Sequence, residues 1–172
     1  MVNGTHYLLQ DLDQVPDRLD PDELRSRNYT ASPYFDSLCV IREALKREVP
    51  GFPNYRCAEA GKVVSQVLGW DVLGGIYMPA FKATRRLKEA THIWNPSPDG
   101  YLVDLTVDQE DPTIPAVLIV QDDSRIVRAW RILTEAIREA TLRDLSKKLF
   151  KETGKKVDLE AIANDLRAKL KM

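Results

Sequence analysis

Apolar positions along the chain fall into two rhythms. In "FDSLCVIREALKREVP", Leu38, Ile41 and Leu45 share one helical face and Pro50 ends the pattern, which predicts a helix over 36–48. After the loop "GFPNYR", Val63, Val64, Val67 and Leu68 mark the face of a second helix that stops before Gly69 and has Cys57 at its front. "WDVLGGIYM" reads as a strand, with Gly74 and Gly75 suggesting a bulge or a close approach. Residues 80–90 read as a short helix or loop. "ATHIWN" and "GYLVDLT" are β-rich and joined by the turn formers "PSPDG", which predicts an antiparallel hairpin with a loop longer than two residues. "PAVLIVQ", apolar on consecutive positions, predicts a central strand. Helical patterns return over 127–151 and 158–171, with Gly154 between them and Asp158 as N-cap.

This order of helices, strands and helices predicts an α+β fold with an antiparallel sheet and disfavours a doubly wound nucleotide fold. The 172 residues suit a single domain, with 1–34 a loop-rich segment and 131–172 a C-terminal helical extension. From Asp11 to Glu23 six acids stand against Arg18 alone, which adds to the loop-like reading of that segment.

Charge narrows the partners. Lys and Arg number 25 against 26 Asp and Glu, so no strong overall field favours nucleic acid. No run approaches the roughly 18 apolar residues of a membrane span, and "MVNGTHYLLQDLDQ" lacks the pattern of a signal peptide, so the cytoplasm and no membrane partner are expected. There Cys39 and Cys57 remain thiols. Neither they nor the two histidines have metal-ligand spacing, His6 has no ligand residues beside it, and Gly61-Lys62 lacks the leading glycine of a phosphate loop. No metal or cofactor is expected.

A thiol reacts as thiolate, and the first turn of a helix favours that form through its unpaired N–H groups, which also suit an oxyanion. Cys57 has that position. His92 begins the hairpin and Asp104 lies on the returning strand; in an unbulged antiparallel pair they share a face when their numbers sum with the right parity. A register that faces Trp94 with Leu102 sets them directly opposite. An imidazole so held keeps one tautomer and can take the thiol proton.

The set "RCAEAGKVVSQVLGWDV", "THIWN" and "DGYLVDLTVDQ" resembles the transglutaminase-like branch of the papain-type cysteine enzymes. Locally it is also similar to arylamine N-acetyltransferases, through Cys57 with Glu59 and the tyrosine-led "YLVD". The resemblance implies a papain-like fold, with Cys57 as nucleophile, His92 as base and acid, and Asp104 orienting His92. It also implies an upstream oxyanion donor, for which Asn54 is the candidate, and acyl chemistry on an amide or thioester, with a protein or peptide as substrate. The acetyltransferase pattern places glycines before the cysteine, where this chain has Asn54, Tyr55 and Arg56.

Other readings stand beside these. A non-catalytic binding or assembly domain of the same fold, or acetyl transfer to an arylamine, fits the same residues. Cys39 reads as core. Asp104, among Leu102, Val103 and Leu105, needs a partner if buried, and Asp108 is the rival for that place or a cap at the strand end. Trp70 and Trp94 are groove walls or core. Leu159, Ile162, Leu166 and Leu170 form a stripe that packs on its own domain or joins a second copy as a homo-oligomer.

Overall fold

A computed structural model describes residues 20–84, 90–109, 111–121, 130–132 and 157–172, and His6 and most of the 127–151 stretch lie outside them. The architecture is α+β. Helices α1 (Pro21–Arg27), α2 (Phe35–Glu48) and α3 (Cys57–Leu68) precede strand β1 (Leu73–Tyr77), which runs into helix α4 (Met78–Thr84). Strands β2 (Thr91–Pro96), β3 (Tyr101–Asp104), β4 (Leu118–Gln121) and β5 (Trp130–Ile132) follow, with a 3-10 turn at Val107–Gln109, and helix α5 (Leu159–Leu170) comes last. The sheet order is β4-β3-β2-β1-β5, every neighbouring pair antiparallel.

Each face of the sheet has its own core. Val103, Leu105 and Ile119 meet Leu38, Ile41 and Leu45 of α2, Val63 and Val64 of α3, and Ala163 and Leu166 of α5. Each fully buried Leu or Ile here stabilises the fold by about 2 kcal/mol. On the other face Tyr77, Trp94, Leu102, Leu118 and Val120 pack with Leu24 of α1. Of the α5 stripe Leu166 is buried in this core and Leu159, Ile162 and Leu170 pack partly buried against it; the helix N-terminus is capped by the Asp158 carboxylate, which accepts from the Ala161 N–H at 3.0 Å.

Four expectations are corrected. The segment read as loop up to residue 34 contains α1, started by Asp20 as N-cap, Pro21 at the first position and acids in the first turn; its single buried apolar residue, Leu24, leaves no periodicity to read. Gly74 and Gly75 pair regularly with Ile93 and His92, without a bulge. Among the described strands β4 lies at the edge of the sheet, not in its centre. Its apolar run reflects cover on both faces, and its outer edge is closed by Asn28, whose side chain accepts from the Ile119 N–H at 2.8 Å and donates to the Val117 carbonyl at 2.9 Å. Finally, the helix expected from 127 gives way at 130–132 to β5, which pairs with β1.

The hairpin and the helix that carry the site follow the sequence. Ser97 closes the loop by donating its N–H to the Tyr101 carbonyl at 2.8 Å, and Gly100 supplies a φ of 86°. α3 ends on Gly69 at φ 72°. Its internal Gly61 lies close against β2: a Cβ there would stand 2.6 Å from Ile93 Cγ2. Asn95 fixes the same contact, donating to the carbonyls of Gly61 at 3.0 Å and Asp71 at 2.8 Å.

Candidate active site

Cys57 is the first residue of α3, and the side chain of the preceding Arg56 makes no capping bond, so this end of the helix is not closed by its N-cap. Arg56 instead turns inward, donating through Nε to the Pro50 carbonyl at 2.8 Å and bracing the loop before the helix. Tyr55 has a left-handed backbone with φ 56°, and its N–H is received by Gln109 Oε1 at 2.6 Å. Cys57 is 3% exposed, packed with Ala58 and Ile93.

β2 pairs with β1 along Thr91 to Trp94 but with β3 only at Asn95 and Pro96, so His92 sits where β2 has parted from β3. Pro96, not Trp94, faces Leu102. The register is therefore shifted by two residues from the one that sets His92 opposite Asp104, a shift that keeps parity and makes the pair diagonal. Asp104 reaches His92 all the same: Nε2 lies 2.6 Å from Oδ2. A carboxylate only accepts, so Nε2 carries the proton and Nδ1 is the nitrogen left to exchange one. The other oxygen, Oδ1, accepts from the Thr106 N–H at 2.9 Å and its hydroxyl at 3.2 Å, which holds the carboxylate in place.

His92 is 2% exposed and Asp104 1%. Burial works against a charged imidazole, but the charge and hydrogen bond of Asp104, followed by the hydrogen bond and charge of Cys57, outweigh it and hold His92 well above its ordinary value. A direct hydrogen bond thus joins His92 to Asp104, while Cys57 stands at the start of α3, packed on Ile93 of the strand that carries His92. The rings of Tyr77 and Trp94 stand 5.8 and 6.4 Å from the imidazole and complete an apolar enclosure.

The remaining sequence candidates divide. Trp94, offered as a substrate residue, is 3% exposed and belongs to the core beside His92, because its strand face is covered by α1 and β4 residues. Trp70 is likewise buried, edge-on to Tyr34 at 4.9 Å. Asn54 is exposed in the loop ahead of Cys57. Asp108 neither competes for His92 nor caps the strand: it receives Arg42 Nη2 at 2.6 Å. Burial pushes its carboxyl up, against the pull of Arg42. Cys39, half-buried on α2, has its thiol pushed up by burial and by Asp36 and Glu43, against the pull of Arg42.

Arg42 and Gln109 are what the sequence reading missed. Arg42 stands on the same helical face as Leu38, Ile41 and Leu45, and a cation inside an apolar stripe is the signal of a buried partner. Gln109 carries no comparable mark. Among the described residues no group of three or more His, Cys, Asp or Glu is placed to hold a metal ion, and no helix is long and apolar enough to cross a membrane. Comparison with protein-family models, curated proteins and solved structures finds no match.

Proposed function

We propose that the protein is a cysteine-dependent acyl enzyme of the transglutaminase-like, papain-type class, acting on an amide or thioester carbonyl. The observation that carries the reading is the 2.6 Å bond between His92 Nε2 and Asp104 Oδ2, which leaves the imidazole's other nitrogen to serve the thiol at the start of α3.

In the proposed reaction Nδ1 of His92 takes the Cys57 proton and Sγ bonds to the carbonyl carbon. The oxyanion so formed faces the N–H groups of the first turn of α3. Its collapse expels an amine or thiol, which leaves with the proton from His92, and the acyl group stays on Cys57. Water or an amine then attacks the acyl carbon, giving up its proton to His92, and Sγ departs to recover that proton. Asp104 stabilises the imidazolium throughout and keeps its tautomer. A protein or peptide amide is the substrate class this chemistry suits, and a free thiol nucleophile suits the reducing cytoplasm.

The burial of Cys57 and His92 favours one second reading, a binding domain of the same fold whose Cys57 is packing. Alkylation by iodoacetamide separates them, in a Cys39→Ser background and as a function of pH. The enzyme labels at Cys57 well below the free-thiol midpoint of about 8.5 and loses that labelling in His92→Ala. An ordinary thiol profile that ignores His92 assigns Cys57 to packing.

A further inference from the structure

The segment from Asp104 to Gln109 touches both sides of the candidate site. At its start Asp104 holds His92, and at its end Gln109 Oε1 accepts the Tyr55 N–H at 2.6 Å, two residues ahead of Cys57. Between them the segment is clamped to α2: Arg42 donates to the Leu105 carbonyl through Nη1 and to Asp108 Oδ2 through Nη2 at 2.6 Å. The guanidinium also lies over the Phe52 ring, 5.1 Å from its centroid, in the same loop that Gln109 holds.

Tyr55 makes the Gln109 contact matter. Its φ of 56° is a conformation that a residue with a side chain enters at a cost, and it sets the direction in which the chain enters α3. The Gln109 carbonyl oxygen receives the N–H of that residue.

Resting on the acyl-enzyme reading, we propose that Gln109 is a positioning residue: with Arg42 and Asp108 anchoring its segment, it fixes the loop before α3 so that Cys57 meets the imidazole that Asp104, on the same segment, orients. One clamped segment thereby sets both halves of the thiol–imidazole pair. The role of Gln109 is that of an acceptor, which a carboxylate can fill and an isobutyl group cannot.

The test is the pH profile of Cys57 alkylation by iodoacetamide in the full chain carrying Cys39→Ser, compared among the parent, Gln109→Leu, Gln109→Glu and His92→Ala, with a thermal melt of each. Gln109→Leu is expected to lose about tenfold to a hundredfold of the labelling rate below pH ~7, as a misplacement of about 1 Å does. Its melting temperature stays that of the parent, and Gln109→Glu restores the profile. A parent-like profile in Gln109→Leu, with His92→Ala impaired, overturns the positioning role and leaves the acyl-enzyme reading intact. A loss in Gln109→Leu matched by a lowered melting temperature overturns it too, by assigning the residue to stability. A His92→Ala profile equal to the parent's overturns both.

Discussion

At the scale of residues, two charge pairs, one buried and one partly buried, are held by opposite balances. For His92 the attraction of Asp104 and Cys57 outweighs burial, so the folded imidazole binds its proton more tightly than the unfolded one, whose ordinary value is 6.5. The sign follows from linkage: the stabilisation is fully present below about pH 6.5 and is lost as pH rises through the higher folded value. Denaturant titrations of the parent and His92→Gln across pH 5 to 9 should therefore show a stability gap that narrows toward high pH. A gap independent of pH would contradict the raised value. Arg42 and Asp108 form the other pair, with side chains 8% and 15% exposed. Removing one partner strands a buried charge, so Asp108→Ala should cost about 3 kcal/mol, while Arg42→Met with Asp108→Leu should cost less than Arg42→Met alone. A double-variant cost equal to the sum of the costs of Arg42→Met and Asp108→Leu alone would mean the charges do not depend on each other.

At the scale of elements, the site depends on how closely α3 lies on β2. Gly61→Ala puts a Cβ 2.6 Å from Ile93 Cγ2, and Ile93 packs against Cys57. The helix must shift, so the variant should lose about 1–3 kcal/mol in denaturant melts and lower the rate of Cys57 alkylation near neutral pH. A neutral effect on both would show that the contact gives way freely. Asn28 tests the edge of β4. Asn28→Ala removes its bonds to Ile119 and Val117, should cost about 2 kcal/mol, and should speed amide exchange at the Ile119 N–H. Much at this scale was legible in the sequence. Apolar spacing marked α2, α3 and α5, the "PSPDG" turn marked the hairpin, and Asp158 marked a helix start. What escaped was set by partners distant in sequence. A run such as "LIVQ" looks the same in a strand between two others and in an edge strand closed by Asn28. A seven-residue helix with one buried leucine has capping signals and no stripe.

At the scale of the whole molecule, parity was legible and register was not. A side-chain period of 2 places His92 and Asp104 on one face in either of two registers, and the loop that selects between them is closed by Ser97 and Gly100 contacts that composition does not rank. The candidate base and orienting acid could be named from residue type and strand parity, and a hydrogen bond joins them; the candidate nucleophile could be named from its place at a helix start, which the structure gives it. The clamp that Arg42, Asp108 and Gln109 build around them could not, because it joins α2, the 3-10 turn and the loop before α3. Together, in the proposed enzyme, these parts make Cys57 an acyl acceptor. The most direct measurement is intact-mass analysis of the Cys39→Ser chain after incubation with a small activated ester or thioester, beside Cys57→Ser and His92→Ala. One acyl group is expected on the parent, mapped to Cys57, and none on either variant. An unmodified parent, or equal acylation of His92→Ala, would contradict it.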